Sequence, residues 1–587
     1  MGGLTDAAPW WGAWPDGDGT RFQVWAPACD TAWLLTEDDA PLAMTADGDG
    51  GFHVTHACAH GTRYRFRLGG EVVPDPASRW QPDGVDGPSA VLDPQTYIWK
   101  SASWKGRPWE EVVLYELHAG VCGGFDGVRR QLPLLARLGV TAIELMPVGT
   151  FPGARNWGYD GVMPYAPAAA YGAPDALKAL VDEAHAHGLM VFLDVVYNHF
   201  GPHGNFLPRY APDFFRPDTP TPWGDAIDFD APHVQRYFID NARMWLHEYR
   251  IDGLRLDAVH AMTPPAFLGQ LRDAIRASVP PDRHVHLVLE NEHNTASWLG
   301  PCGYDAQWND DFHNALHVLL TGEREGYYAA FADAPEHHLA RVLAEGFAYQ
   351  GQPDPRGQVR GEPSAHVAPR HFVAFTQNHD QIGNRAFGDR LCGQLPQTRL
   401  RAAMGLTALT PMVPLFFMGE PWGAEAPFPF FTDFAPPLDE AVREGRRREF
   451  ACFAAFADSD ARARIPDPNA PATYAAAHVD PADATHGTGA AHAGWFAQLL
   501  ALRRDLLVPR LRRLRAEGAT VAGPGAVAAA WHDGTTRIAL CLNLGPSPVR
   551  FPAAVDAAVE GAWRSDGSPD SPEVAPDVLA LRWGALQ

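Results

Sequence analysis

Short apolar runs alternate with amphipathic helical patterns across residues 112 to 435, and this alternation limits the possible folds more than any other feature. The run VVLYELHA precedes the helical pattern GVRRQLPLLARLG, and TAIELMPV precedes PDALKALVDEAHAHG. Further runs are LMVFLDVVYNH, IDGLRLDAV, HVHLVLE, RHFVAFTQNHD and MVPLFFMG, with a weaker one at GYDAQW. Strands that alternate with helices favour a parallel sheet, and eight such units predict a closed (β/α)8 barrel.

The regions on either side of the barrel are predicted to be separate domains, in a chain long enough for several cores. Residues 1–105 have short aromatic and β-branched runs split by Asp-Gly turns, which predicts an N-terminal β-sandwich. The catalytic barrel is placed at 106–435. Residues 436–500, rich in Ala, Asp and Pro, are interpreted as a helical satellite or lid, and residues 501–587 as a C-terminal β-sandwich.

The charge balance and the cysteine content exclude several classes of function. The 70 acidic and 47 basic residues give a net charge of -23, whereas nucleic acids and anionic membranes require a cationic partner. The seven cysteines form no C-x-x-C pair, so neither a disulfide framework nor a zinc site is predicted. The start, MGGLTDAAPWWGAWPDG, does not read as a signal peptide, and no apolar run reaches membrane-spanning length. We therefore expect a cytoplasmic enzyme.

The fourth run, IDGLRLDAVH, carries charge where a strand covered on both faces is normally apolar. Arg255, Asp257 and His260 alternate with its aliphatic residues. Burying a charge costs free energy unless the charge is paired or used. Active sites of (β/α)8 barrels form at the C-terminal ends of the strands. We therefore interpret the charges that close this strand as part of an active site.

Polar residues close several other predicted strands. They are Asp194, Asn198 and His199 after the third run, Glu290 after the fifth, Asn378, His379 and Asp380 after the seventh, and Tyr159 and Asp160 on the loop after the second. The chain has neither a Gly-rich phosphate cradle with its lysine nor a dinucleotide fingerprint. Carboxylates among aromatic and hydrogen-bonding groups suit cleavage of a glycosidic bond, which needs one acid and one nucleophile or base.

Four of these segments resemble, in order, the short motifs of the α-amylase family of glycoside hydrolases: DVVYNH, GLRLDAVH, the Glu after HLVL, and NHD. Longer segments narrow the resemblance to members that cut the α-1,4 bond next to a terminal trehalose; they include WGYDGVMPYAP, TPWGDAIDFD, DAQWNDDFHNALH, QNHDQIGNR and FMGEPWGAEAPFPFFTDF. The resemblance implies a retaining hydrolase that acts on maltooligosyltrehalose and related α-glucans, releases trehalose and needs no cofactor.

The resemblance also implies roles for individual residues. Asp257 matches the nucleophile, Glu290 the general acid/base, and Asp380 the third carboxylate, which binds sugar hydroxyls and steadies the transition state. The residues that match substrate-binding or positioning roles are Tyr159, Asp160, Asp194, His199, Arg255, Asn378 and His379. Asp194 is interpreted as a brace for Arg255 or His199.

The adjacent arginine explains how one carboxylate can stay ionised while another stays protonated. Arg255 should lower the pKa of Asp257, and the charge of Asp257 should raise the pKa of Glu290. Glu292 competes with Glu290 because residues two apart on a strand share a face, but Glu290 directly closes the apolar run. Asn198 and His260 stand where some amylases bind calcium; hydrogen bonding inside the barrel rim is the preferred interpretation, and no metal is predicted.

Other functions stay open at this point. A glycogen branching enzyme shares the barrel and the carboxylate pair, but its seventh-strand motif usually reads SHDE, whereas this chain has NHDQIGNR. A general α-amylase is a further alternative, and a glycan-binding protein on an inactive barrel would lack a catalytic carboxylate. The cluster REGRRREF is interpreted as a solvated or ion-paired helix face, and PFPFFTDF as core packing or as a sugar-stacking loop.

Overall fold

The computed structural model describes residues 10–586 apart from positions 18, 38, 222, 223, 301, 302, 356 and 558. Three sequence predictions touch other positions. The segment MGGLTDAAP, the cysteine at position 302, and the Pro-Trp pair of the TPWGDAIDFD motif lie outside the described residues.

A closed barrel of eight parallel strands forms the centre of the molecule. The strands are Leu114–Leu117, Ala142–Leu145, Met190–Val195, Gly253–Leu256, His286–Leu289, Ala306–Trp308, Phe372–Phe375 and Val413–Phe417. This confirms the predicted fold, including the weak run at GYDAQW, which supplies the sixth strand.

Alternate residues of each strand point into the barrel and fill it. The apolar ones include Leu114, Ala142, Phe192, Val288, Val373 and Val413. Gly253 makes room for this packing, because a Cβ there would lie 2.3 Å from the Phe192 ring. Since side chains repeat every two residues, the next inward positions carry Glu116, Glu144, Asp194, Arg255 and Glu290. Charge therefore occupies the layer above the apolar core, at the C-terminal ends of the strands.

Helices surround the barrel, and none in the described part of the chain is long and apolar enough to cross a bilayer. The α-helices are Gly124–Arg129, Leu132–Leu138, Pro174–Ala186, Leu207–Tyr210, Pro232–His247, Ala266–Ser278, Asp310–Thr321, Pro335–Glu345, His379–Gly383, Gln397–Leu409, Leu438–Glu449, Ser459–Ala463, Pro471–Ala476 and Gly487–Leu506. The fifth strand is followed, in the described part of its connection, by the 3-10 turn Ala296–Trp298.

The helix that completes the last βα unit comes late in the chain. Gly487–Leu506 packs against Leu132–Leu138 and Gln397–Leu409, the helices that follow the first and seventh strands. Residues 436–486 are therefore inserted between the eighth strand and its helix. The predicted boundary at residue 500 falls inside this helix.

Antiparallel sheets flank the barrel at both ends of the chain, as predicted for the two β-sandwiches. The N-terminal strands are Gly12–Asp16, Gly19–Trp25, Ala32–Thr36, Leu42–Ala43, Thr45–Ala46, Gly51–His56, Arg63–Leu68, Glu71–Val73 and Ser89–Ala90. The C-terminal strands are Arg515–Gly523, Ala526–His532, Thr536–Asn543, Val549–Arg550, Gly561–Arg564, Glu573–Val574 and Val578–Ala585. Two small antiparallel ladders lie on barrel loops: Gly149–Thr150 with Met163–Pro167, and Phe215–Thr221 with Gly224–Ile227.

Candidate active site

Arg255, on the fourth strand, links three carboxylates at the ends of the third, fourth and fifth strands. Its Nη1 donates to Oδ2 of Asp194 and to Oδ1 of Asp257, each at 2.7 Å. Its Nη2 lies 2.9 Å from Oε2 of Glu290. The guanidinium carbon lies 4.2 Å from the ring centroid of Trp308, on the sixth strand, which favours the cation electrostatically. One buried cation thus brings two of the three predicted catalytic carboxylates, Asp257 and Glu290, together.

Asp257 is held in its ionised form. Its Oδ2 accepts a 2.7 Å hydrogen bond from Nδ2 of Asn198, which also donates to the Asp257 carbonyl at 2.9 Å. Burial raises the pKa of Asp257, but the charge of Arg255 and the hydrogen bond from Asn198 outweigh burial, so the pKa lies below its usual value. A carboxylate that is ionised at neutral pH can act as a nucleophile.

Glu290 is held in its protonated form. Burial raises its pKa well above the usual value, and the charge of Asp257 raises it further against the opposing effect of Arg255. Its Oε2 accepts a 2.7 Å hydrogen bond from the backbone N–H of Ala258. Two carboxyl groups side by side therefore have pKa values shifted in opposite directions, which is the pattern of an acid beside a nucleophile.

The backbone turn after Asp257 directs that N–H group. Ala258 has φ 42° and ψ 49°, a left-handed conformation that is uncommon for a residue with a Cβ. The turn ends the fourth strand and carries the Ala258 amide toward the fifth strand, where Glu290 follows Leu289. Backbone strain of this kind is concentrated at functional sites.

The structure separates the two glutamates that compete for the acid role. The side chain of Glu292 is 71% exposed, and its carboxylate lies 3.7 Å from Nε2 of His260. Glu290 instead lies against Arg255 and Ala258. The chain leaves the strand after Leu289, so the two-residue repeat no longer places both glutamates on one face.

Tyr159 and His379 form a stacked pair at the edge of this charge cluster. The Tyr159 hydroxyl donates to Oδ2 of Asp194 at 2.6 Å and lies 2.8 Å from Nε2 of His379. The two rings are 5.2 Å apart and inclined by 22°. Burial lowers the pKa of His379, but the carboxylate of Glu116 outweighs burial and raises it to about 9. His379 is therefore charged at neutral pH, and its Nε2–H can donate to the tyrosine oxygen.

Asp380 lies in the first turn of the short helix His379–Gly383, with its side chain 35% exposed. Oδ1 of Asn378 accepts the Asp380 N–H at 2.9 Å, and the Gln381 side chain accepts the Asn378 N–H at 3.0 Å. This reciprocal cap fixes the start of the helix. Asn378 and Arg255 are fully buried, so the geometry favours a positioning role for both side chains.

His199 and Asp160 lie on the same rim. Nε2 of His199 is 2.9 Å from the Tyr159 carbonyl, and its Nδ1 contacts the Asn198 amide oxygen. Burial lowers the pKa of His199, partly offset by the charge of Asp257. The Asp160 carboxylate accepts a 2.6 Å hydrogen bond from Nδ2 of Asn156, so it braces the loop that carries Tyr159.

Comparison with known proteins places this site in a family. The family model for the alpha amylase catalytic domain matches residues 82–214. A malto-oligosyltrehalose trehalohydrolase from Deinococcus radiodurans is 42% identical over 499 residues, 84% of this chain and 82% of the relative. One from Mycobacterium tuberculosis is 38% identical over 597 residues, covering 96% of this chain and 98% of the relative. The chain belongs to the malto-oligosyltrehalose trehalohydrolase family.

Solved structures agree with membership of the broader α-amylase family. A Salmonella typhimurium protein assigned as an alpha amylase is 42% identical and superposes with a TM-score of 0.91, covering 98% of this chain and 99% of that one. A pullulanase from Anoxybacillus, solved with maltotetraose, is 17% identical with a TM-score of 0.71, covering 98% of this chain and 87% of that one. The second likeness concerns the fold alone. The chain is a glycosidase of the α-amylase family.

Two acidic residues of this trehalohydrolase-family site were missed by the sequence predictions. Glu116, on the first strand, accepts a 3.1 Å hydrogen bond from the His379 N–H and also contacts Nδ1 of that residue. Glu144, on the second strand, is buried, and neither of its oxygens has a hydrogen-bond partner among the described residues. Burial, and then the charges of Glu116 and Asp194, raise the pKa of Glu144 well above its usual value. The signal was present: each stands two residues after an inward apolar residue in VVLYELHA and TAIELMPV.

The aromatic segment PFPFFTDF, residues 427–434, belongs mostly to the hydrophobic core. Phe428 and Phe431 of PFPFFTDF are fully buried, so core packing applies to them and sugar stacking does not; Phe430 is half-buried. Among the described residues, no group of three or more His, Cys, Asp or Glu side chains could hold a metal ion. The Asn198 amide is directed at Asp257.

Proposed function

We propose that this enzyme hydrolyses the α-1,4 bond next to the terminal trehalose of maltooligosyltrehalose, releasing trehalose and a shortened maltooligosaccharide with retention of configuration. The observation that carries the chemistry is the Arg255 guanidinium, which lies 2.7 Å from Asp257 and 2.9 Å from Glu290. The names of relatives about 40% identical to this chain, and the segments that the chain shares with that group, support the substrate.

In the first step the Asp257 carboxylate attacks the anomeric carbon while Glu290 protonates the departing oxygen. A glycosyl–Asp257 ester forms, and the trehalose leaves with the proton of Glu290. Oε2 of Glu290 already accepts from Ala258 and adjoins Arg255, so the proton is carried on Oε1. Arg255 lies against both carboxylates and can follow the charge as it moves from one to the other.

In the second step Glu290, now ionised, takes a proton from water, and the water oxygen attacks the anomeric carbon of the glycosyl ester. The bond to Asp257 breaks, and the Asp257 carboxylate returns to its contacts with Arg255 and Asn198. Two inversions at the same carbon give net retention.

The remaining rim residues act on the sugar to be cleaved. Asp380 is the third carboxylate, and its partial exposure lets it accept from sugar hydroxyls. Tyr159 provides an aromatic face, and the charged His379 holds the Tyr159 hydroxyl in place.

The trehalose end should raise turnover and not affinity alone. Trehalose joins two glucoses through both anomeric carbons, so a chain that ends in it has no reducing end and turns sharply. A site that seats both rings beyond Asp257 aligns the scissile bond for attack, and remote binding of this kind acts on the chemical step.

Product analysis tests the proposal. Maltooligosyltrehalose, a maltooligosaccharide of equal glucose count, and amylose serve as separate substrates, with Glu290→Gln as the control for contaminating activity. We expect free trehalose and a kcat/KM preference for the first substrate of at least about tenfold, or about 1.4 kcal/mol. Equal rates on the first two substrates would indicate a general amylase, and new α-1,6 branches on amylose a branching enzyme.

Cofactor independence, a cytoplasmic location, and a lack of nucleic-acid or membrane partners stay predictions from the sequence.

A further inference from the structure

Arg446 differs from the arginines beside it in GRRREF. It lies on helix Leu438–Glu449, within the insertion that follows the eighth strand, and is only 8% exposed, whereas Arg448 is exposed and Arg447 is half-exposed. The interpretation of GRRREF as a solvated or ion-paired helix face holds for Arg446 only in its ion-paired form, since its Nη1 lies 3.0 Å from Glu449. We propose that Arg446 is a positioning residue that sets the Asp380 carboxylate in the active site by holding the far end of its helix. The inference rests on the role that the proposed function gives to Asp380.

The contacts of Arg446 are with the backbone that follows Asp380. Its Nη2 donates to the carbonyl of Gly383 at 2.6 Å and to the carbonyl of Arg385 at 3.0 Å. The last carbonyls of a helix lack partners inside the helix, and a cation there also suits the helix dipole. Nη1 of Arg446 donates to Glu449 at 3.0 Å, which orients the guanidinium from its other side.

Aromatic rings fix the plane of this guanidinium. Its carbon lies 4.6 Å from the Phe450 ring centroid and 5.7 Å from that of Phe430. The Arg446 guanidinium is therefore held in one plane when it donates to the two carbonyls, an arrangement that a lysine cannot reproduce.

The helix His379–Gly383 has only five residues and depends on such outside contacts. The Asn378 cap and the Glu116–His379 contact hold its start. Gly383 lies so close to Trp157 that a Cβ would come within 1.9 Å of that ring. Arg446 fixes the end of the helix through the carbonyls of Gly383 and Arg385. Without the Arg446 side chain, the helix can tilt about its fixed start and carry Asp380 with it.

The test compares three arginine variants on one helix: Arg446→Ala, Arg446→Lys and the matched control Arg448→Ala. We expect kcat to fall at least about tenfold in Arg446→Ala, with KM changed less. A displacement of the Asp380 carboxylate by about 1 Å can lower the rate of the chemical step by more than tenfold. Arg448→Ala should stay within about twofold of the parent, as surface substitutions do. Arg446→Lys should recover part of the lost kcat, since an ammonium can reach one carbonyl.

Hydrogen exchange supplies a readout independent of turnover. In Arg446→Ala the amides of residues 380–386 should exchange faster, while barrel-strand amides and the urea midpoint stay as in Arg448→Ala. A kcat of Arg446→Ala within about twofold of Arg448→Ala overturns the proposal. So does a loss that tracks global unfolding and that Arg446→Lys does not relieve.

The two proposals can fail separately. If products show an amylase or a branching enzyme, the same kcat ratios measured on the substrate that is turned over still test Arg446, because they depend only on the position of Asp380.

Discussion

The backbone N–H of Ala258 donates a 2.7 Å hydrogen bond to Oε2 of Glu290, so the residue after Asp257, the proposed nucleophile, holds the proposed acid. The donor of this hydrogen bond is a backbone amide, and the acceptor is one carboxyl oxygen of Glu290. It complements Arg255, which reaches the same oxygen at 2.9 Å. The geometry of the acid is thereby tied to the turn that ends the fourth strand.

Variants of Ala258 should separate this hydrogen bond from the strain of the turn. Ala258→Gly keeps the N–H and accepts a left-handed backbone, so kcat should stay close to the parent value. Ala258→Val puts a β-branched side chain at φ 42°, where we expect a loss of about 1–3 kcal/mol in unfolding free energy. Urea unfolding and steady-state kinetics measure the two effects. Equal stability of the two variants would argue against strain at this turn.

Substitution of the two central carboxylates should have different consequences. Asp257→Asn should lose nearly all activity on every substrate, because an amide cannot form the glycosyl ester. Glu290→Gln should be comparably slow on the natural substrate but recover on a glycosyl fluoride, whose leaving group needs no proton. Single-turnover assays on both substrates measure this.

Glu292→Gln is the matched control for the acid, since its side chain is 71% exposed. We expect its kcat within about twofold of the parent. If the fluoride rescued Glu292→Gln and not Glu290→Gln, the acid would have been assigned to the wrong glutamate.

The pH dependence of kcat/KM should be bell-shaped. The active form has Asp257 ionised, with a pKa below its usual value, and Glu290 protonated, with a pKa well above its usual value. Activity should rise as Asp257 loses its proton and fall as pH rises through the pKa of Glu290. In Glu290→Gln, assayed on the fluoride, the alkaline limb should vanish. Persistence of that limb would assign it to another group.

The Glu116–His379 contact should make stability depend on pH. The pKa of His379 is raised from 6.5 to about 9, so its contribution is fully present below about pH 6.5 and is lost as pH rises through about 9. The effect should amount to at most about 3 kcal/mol in unfolding free energy. Glu116→Gln should flatten this slope, and Glu292→Gln should leave it intact. Urea unfolding between pH 6 and 10 would show whether the two slopes differ.

Local pattern was sufficient to predict the barrel and most of its rim. A two-residue repeat marks the strands, and the rule that sites form at strand ends selects Asp257, Glu290 and Asp380. The same repeat places Glu116 and Glu144 on the inward face, but the sequence around them does not indicate which residues they contact. His379 lies 263 residues from Glu116 in the chain, so this pairing depends on barrel closure.

The arginines of GRRREF illustrate what such a pattern leaves undetermined. All three carry the same charge on one short helix, yet only Arg446 meets the carbonyls of another segment. Which one is buried depends on how the helix docks on the barrel, and charge patterning alone does not contain that information.

The late position of helix Gly487–Leu506 allows the segment before it to vary without disturbing the barrel. Both ends of the insertion at 436–486 are anchored in one βα unit, so its length and sequence can change while the ring of strands stays closed. The insertion can therefore vary independently of the barrel strands. Because Arg446 belongs to the insertion, replacing the insertion would also change the position of Asp380, a carboxylate that the barrel carries.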